Sequence, residues 1–184
     1  GSCLAAADQM VISFTASPTA NAGGNATVCA NNAALDLNGS VSIAAGGIWS
    51  GGSGSFSPNN ATLNASYTPS AAEIAAGTVT LTLTTTGNGN CIAATGSKVI
   101  SITPAPVVSA GTSATVCANN ASIALNGSVT GATGGIWSGG AGGYSPNNTT
   151  LNASYTPTAA EIAAGSLTLT LTSTGNGLCN AVGS

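Results

Sequence analysis

Residues 16–96 return without a gap as residues 104–184. The landmarks keep one offset of 88: Cys29 and Cys117, Trp49 and Trp137, Tyr67 and Tyr155, Glu73 and Glu161, Cys91 and Cys179. A match this long does not come from shared composition, so the chain is a tandem repeat. Its fold must be one that a short unit adopts and then adopts again beside itself. Subtracting the offset from Cys91 lands on Cys3, and CLAAADQMVISFT (3–15) lines up with CIAATGSKVISIT (91–103). The expected layout is the last strand of a preceding repeat at 1–15, repeat A at 16–103, and a repeat B at 104–184 that ends before its own last strand.

The unit reads as β. TVTLTLTTT (78–86) alternates, with Val79, Leu81 and Leu83 on one face and Thr80, Thr82 and Thr84 on the other, the pattern of a half-buried strand. LDLNGSV (35–41), GIWS (47–50) and VISIT (99–103) are shorter candidates, separated by Gly-Gly, Asn-Gly and Ser-Pro-Asn-Asn turns. PSAAEIAAG (69–77) predicts a short helical turn, begun by Pro69 and stopped by Gly77. Many short strands with a Trp in an early one predict an all-β chain of tandem immunoglobulin-like β-sandwiches. Trp49 and Trp137 are the expected core anchors, with Leu37, Tyr67, Leu81 and Leu83 around Trp49. TPAPVV (103–108) is the expected linker, stiffened by its prolines.

Composition narrows the chemistry. There is one basic residue, Lys98, against four acids, Asp8, Asp36, Glu73 and Glu161, and there is no His or Arg. One Lys does not neutralise a run of phosphates, so nucleic acid is not an expected partner. General acid–base catalysis relies mostly on His or on paired carboxylates, and each repeat shares only one acid. The chain is therefore not expected to be an enzyme. No window gathers the oxygens of a calcium loop or the mixed ligands of a zinc site, and no cofactor or metal is expected. No run of 18 apolar residues occurs, so no membrane span is expected. Five cysteines in so inert a chain fit an oxidising, extracellular setting.

The pattern VCANN, LNGSV, GGIWSGG, SPNN, TLNASYTP, AAEIAAG and TGNG before a Cys resembles the repeats of giant cell-surface adhesins of Bacteroidota, of the gliding-motility type. YTPSAAEIAAG (67–77) is its most specific phrase. The resemblance covers nearly the whole chain. It implies immunoglobulin-like or PKD-like modules in an exported protein displayed at the cell surface, with a stalk or adhesive role.

Two cysteine pairings suit the spacing. One closes each repeat on itself, Cys29–Cys91 and Cys117–Cys179, and leaves Cys3; it is preferred because each module is then stapled independently. The other staples the junctions, Cys3–Cys29 and Cys91–Cys117. A sandwich that puts the two members of a pair at opposite ends makes either difficult, because a disulfide tolerates only a short Cα separation.

Four features invite a functional reading. Glu73 and Glu161 recur at one place in the repeat and are read as helical-turn residues accepting backbone N–H bonds. Lys98 suggests an isopeptide cross-link, but its counterpart in the opening strand is Met10, which argues against it. The rows Thr80, Thr82, Thr84 and Thr168, Thr170, Thr172 could present flat faces to ice or to surface glycans; such a carbohydrate- or ice-binding module is the alternative to a structural role. The strand Met10, Val11, Ile12, Ser13, Phe14 and Thr15 matches the one that repeat B does not contain. All of repeat A separates it from repeat B of its own chain. The expected partner is therefore a neighbouring copy, joined head to tail by strand addition at an exposed edge; either the chain is a piece of a long array and this contact mimics its covalent link, or it is a donor-strand filament subunit. The expected role is spacing and display in a surface adhesin or filament.

Overall fold

The computed structural model describes residues 1–184, and its regular structure is almost entirely strand. Repeat A contributes β1 (Thr19–Asn21), β2 (Ala26–Cys29), β3 (Leu35–Asp36), β4 (Ser40–Ser42), β5 (Gly46–Ser50), β6 (Ser55–Ser57), β7 (Ser66–Thr68), helix α1 (Ala71–Ala76), β8 (Thr78–Thr86) and β9 (Thr95–Thr103). One sheet runs β2-β9-β8-β5, and the facing strands are β3-β7-β6 with the pair β1-β4. β2 lies parallel to β9, whereas β9-β8 and β8-β5 are antiparallel.

The period-two alternation of 78–86 sets the core. Val79, Leu81 and Leu83 point inward from β8, and Ile100 and Ile102 from β9. They meet Trp49 of β5, Tyr67 of β7 and Leu37, all fully buried. Trp49 lies opposite Leu83 across the β5-β8 ladder and donates its indole N–H to Leu63 O at 3.1 Å, which satisfies its polar end inside the core. The outward residues of β8 are threonines, which suit an exposed strand face.

Repeat B contributes β10 (Val107–Ser109), β11 (Ile123–Ala124), β12 (Ser128–Thr130), β13 (Gly134–Ser138), β14 (Gly143–Ser145), β15 (Ser154–Thr156), helix α2 (Ala159–Ala164) and β16 (Thr170–Thr174). The sheets β11-β15-β14 and β10-β12 repeat those of A, but the large sheet is reduced to β13-β16. After β16 the chain turns back, and Val182 and Ser184 bond Ser173 and Leu171. They occupy the place at which β9 begins in A, offset by 88.

The expected β8 appears over 78–86 as read, while the strand expected at 99–103 begins earlier, at Thr95. The segment expected as one strand at 35–41 divides into β3 and β4, because Asn38 takes a left-handed backbone (φ 55°) that turns the chain. Only residues 104–106 separate β9 from β10, so the linker is shorter than the sequence suggested. Residues 1–18 form no strand, and all but Pro18 are exposed.

Candidate functional site: an open groove, a free segment and a cysteine junction

In repeat A, β9 is inserted between β2 and β8. In repeat B nothing lies between the matching segments 114–117 and 166–169, and neither forms a strand. The result is a cleft of about 610 Å³, with Val116, Leu125, Ile162, Leu167 and Leu169 along it and Trp137 and Tyr155 at its floor. Val28 in A is 8% exposed, whereas Val116, its counterpart, is 43% exposed. The buried core of B contracts accordingly to Leu125, Trp137, Tyr155 and Leu171.

The opening segment carries exposed apolar side chains. Met10, Val11, Ile12 and Phe14 are 84%, 88%, 67% and 91% exposed. Offset by 88, Met10, Ile12 and Phe14 correspond to Lys98, Ile100 and Ile102, the three buried positions of β9. The alternation that buries one face of β9 is thus present in 10–15, with nothing in its own chain covering it.

The cysteines correct the expected pairings. Cys29 is bonded to Cys179, across the two repeats, and Cys3, Cys91 and Cys117 are free. The within-repeat pairs Cys29–Cys91 and Cys117–Cys179 fail on distance. Cys29 ends β2 level with Thr103, at the far end of β9, while Cys91 lies in the loop before Thr95, at the near end. Nine strand residues at about 3.3 Å each set those ends roughly 25–30 Å apart, beyond the ~7 Å Cα limit of a disulfide. The junction pairs Cys3–Cys29 and Cys91–Cys117 do not form either: the end of A that carries Cys29 meets the loop of B that carries Cys179.

Around this bond the repeats are clasped by asparagines. Asn31 Nδ2 donates to Asn180 O, Asn180 N–H donates to Asn31 Oδ1, and Asn180 Nδ2 donates to Asn31 O, each at 3.0 Å. Asn32 Nδ2 donates to Leu178 O at 3.4 Å. These residues escaped the sequence reading; the CANN phrase, present after Val28 and again after Val116, was the available signal.

Glu73 and Glu161 hold the loops below their sheets. Glu73 is the third residue of α1, in a capping box with Ser70, and Gly77 closes the helix in the left-handed region. Its carboxylate accepts from Ser53 N–H and Ser70 N–H, both at 2.7 Å, and from the Tyr67 hydroxyl at 2.8 Å. Burial pushes its pKa up, but the Ser70, Ser53 and Tyr67 bonds outweigh this and hold it below the ordinary carboxylate value. Burial, with the bond to Glu73 adding to it, raises Tyr67 to about 12. In repeat B, bonds from Thr158 N–H and Ala141 N–H, with the Tyr155 hydroxyl, bring Glu161 down to about 2. A carboxylate so fully engaged by donors is a structural fastener, as the sequence suggested.

Lys98 is buried in β9, and its Nζ donates to Gly24 O at 2.7 Å and Leu37 O at 3.3 Å. Thr80, Thr82 and Thr84 lie on one strand, but Thr168 falls outside β16, so the two threonine rows are not equivalent faces. No three cysteine or acidic side chains lie together to hold a metal ion, and no helix is long and apolar enough to cross a membrane.

No protein-family model matches the chain, and no curated protein matches it in sequence. Among solved structures, the chain is similar to the N-terminal eight immunoglobulin domains of Down Syndrome Cell Adhesion Molecule isoform 1.30.30. The identity is 12% and the TM-score 0.53, over 91% of this chain and 27% of that one. Sidekick-1 immunoglobulin domains 1–4 align over 94% of this chain and 49% of theirs, at 13% identity and a TM-score of 0.41. The chain thus spans about a quarter of the first structure and half of the second. With the two-sheet architecture, the first likeness gives the fold: tandem immunoglobulin-like β-sandwiches.

Proposed function

We propose that this chain is a structural repeat of an exported surface adhesin or filament, non-enzymatic and acting by spacing and display, whose copies join head to tail by strand addition. Residues 9–15 of one copy enter the groove of repeat B in the next, antiparallel to 166–169 and parallel to 114–117, as β9 lies between β8 and β2 in repeat A. The observation that carries this reading is the paired mismatch within one chain: a groove without a strand in B, and an exposed segment of matching pattern at 10–15.

Burying Met10, Ile12 and Phe14 supplies about 1.5–3 kcal/mol each, before the cost of association. Main-chain bonds to both neighbouring segments add specificity of register. Met10 replaces Lys98 in the donor, so no charge enters the groove. The near absence of charge elsewhere leaves little for salt to screen, which suits a stalk in a changing medium. The resemblance to gliding-motility adhesin repeats supports the cell-surface setting.

Sedimentation velocity with the 184-residue chain and a variant without residues 1–16 tests this. The full chain is expected to form concentration-dependent head-to-tail species and the variant to stay monomeric. A peptide of residues 7–16 added to the variant should raise the unfolding temperature of repeat B. Equal particle sizes and no effect of the peptide would overturn the reading.

A further inference from the structure

Cys29 and Cys179 show what a completed joint looks like. Cys29 is aligned with Thr103, the last residue of the inserted strand β9, and the next carbonyl, Pro104 O, lies 3.8 Å from Cys29 Sγ and 3.6 Å from Cys179 Sγ. The bond closes over the point where the strand of one repeat passes into the next.

Both halves of a second such joint are present, unjoined, at opposite ends of the chain. On the donor side, Cys91 Sγ lies 3.5 Å from Thr15 Oγ1 and 3.7 Å from Ala16 O. Thr15 and Ala16 correspond to Thr103 and Pro104 by the offset of 88, so Cys91 already has the seat that Cys179 has. On the acceptor side, Cys117 ends the segment that corresponds to β2, and it is exposed and free. When 9–15 of a second copy enter the groove in the register of β9, Thr15 comes level with Cys117 and brings Cys91 with it.

We infer that the joint between copies is locked by a disulfide from Cys117 of the acceptor to Cys91 of the donor, the intermolecular counterpart of Cys29–Cys179. This rests on the strand-addition reading above. The asparagine clasp transfers in large part. Asn119 can donate to Ile92 O and accept from Ile92 N–H, and Asn120 can donate to Asn90 O, because in the internal joint these three bonds use backbone groups on the Cys179 side. Only the bond from the Asn180 side-chain amide has no counterpart, since residue 92 is Ile. Cys3 corresponds to Cys91 by one offset and, by a second, to Cys179 of the acceptor, which is already bonded to Cys29, so it has no seat in the joint.

The chemistry is thiol–disulfide exchange with a small-molecule disulfide such as oxidised glutathione. The Cys91 thiolate attacks one glutathione sulfur and releases glutathione thiolate, which takes a proton. The Cys117 thiolate then displaces the second glutathione from the mixed disulfide. One S–S bond forms between the copies as one in glutathione breaks. The two cysteines are oxidised, and two glutathione thiols leave with the two protons.

The test uses three variants of the full chain, all carrying Cys3→Ser, with C91S, C117S or neither added, incubated with oxidised glutathione and resolved on non-reducing gels. The C91S and C117S variants mixed together should give a cross-linked dimer more than about tenfold over either alone, because a seated pair reacts at an effective concentration in the millimolar range. Peptide mapping should place the bond at Cys91–Cys117, and Phe14→Asp in the strand-donating C117S partner should abolish it. Association by sedimentation without cross-linking would overturn the latch and leave strand addition standing. Neither association nor cross-linking would overturn both, and equal yields of Cys117–Cys117 dimer from C91S alone would show that Cys117 has no designated partner.

Discussion

The smallest feature on which each repeat depends is a carboxylate. Glu73 gathers donors from the loop at Ser53, from Ser70 and from Tyr67. Glu73→Ala leaves a buried hydroxyl and two N–H groups without their acceptor, which is expected to cost about 2–4 kcal/mol, read as a lower urea midpoint for repeat A. Gly52→Ala attacks the same fastener from the other side, because a Cβ there runs into the Tyr67 hydroxyl; it should lower the midpoint in the same direction. The pH dependence follows from the signs of the shifts. Glu73 and Glu161 are depressed when folded, so their contribution is complete above the ordinary carboxylate value of 4.5 and is lost as pH falls below it, for Glu161 toward about 2. Tyr67 is raised, so its contribution is complete below pH 10 and is lost as pH rises from 10 toward about 12. Urea titrations should therefore show a plateau between these limbs. With only two other acids in the chain, a midpoint that stayed constant from pH 7 to pH 2.5 would contradict the role given to the glutamates. The glutamates' place was legible from their recurrence in the repeat. Their partners were not, because Ser53, Tyr67 and Ser70 come together only once β7 and α1 have folded around the loop at 51–54.

At the scale of elements, the alternation of 78–86 and the Trp at position 49 gave away the main strand and the core, since both are set by local period and bulk. Trp49→Ala should cost about 3–5 kcal/mol through the cavity it leaves, measured as a fall in the melting temperature of repeat A. The same change at Trp137 should have its full effect only when the groove of B is filled, because its surroundings are partly open. The 88-residue offset also singled out 10–15, by its match to β9 and not by its own composition. The cysteine partners were hidden for a different reason. Independent stapling of each module favours Cys29–Cys91, but β9 separates them, and Cys29 ends level with Thr103, where the chain passes into the next repeat. That position depends on β2 running parallel to β9, a relation that no local pattern in 26–29 announces.

At the scale of the whole molecule, repeats A and B meet in one joint: β9 passes out of the first sandwich, a three-residue connection follows, and the Cys29–Cys179 bond and the asparagine clasp hold the next sandwich to it; the proposed joint between copies repeats this arrangement. Reduction of Cys29–Cys179 should leave both sandwiches folded and loosen their mutual orientation, seen as a broader distance distribution between labels placed on A and B; an unchanged distribution would assign the orientation to the asparagines and the short connection alone. The central claim is that 9–15 becomes the missing neighbour of 114–117 and 166–169 in another copy. Amide hydrogen exchange on the full chain, measured across protein concentration, addresses it most directly. Protection should appear together in 9–15, 114–117 and 166–169 as concentration rises, and should be absent from all three at low concentration and in a Phe14→Asp variant. Exchange in these segments that stayed fast and independent of concentration would contradict the claim.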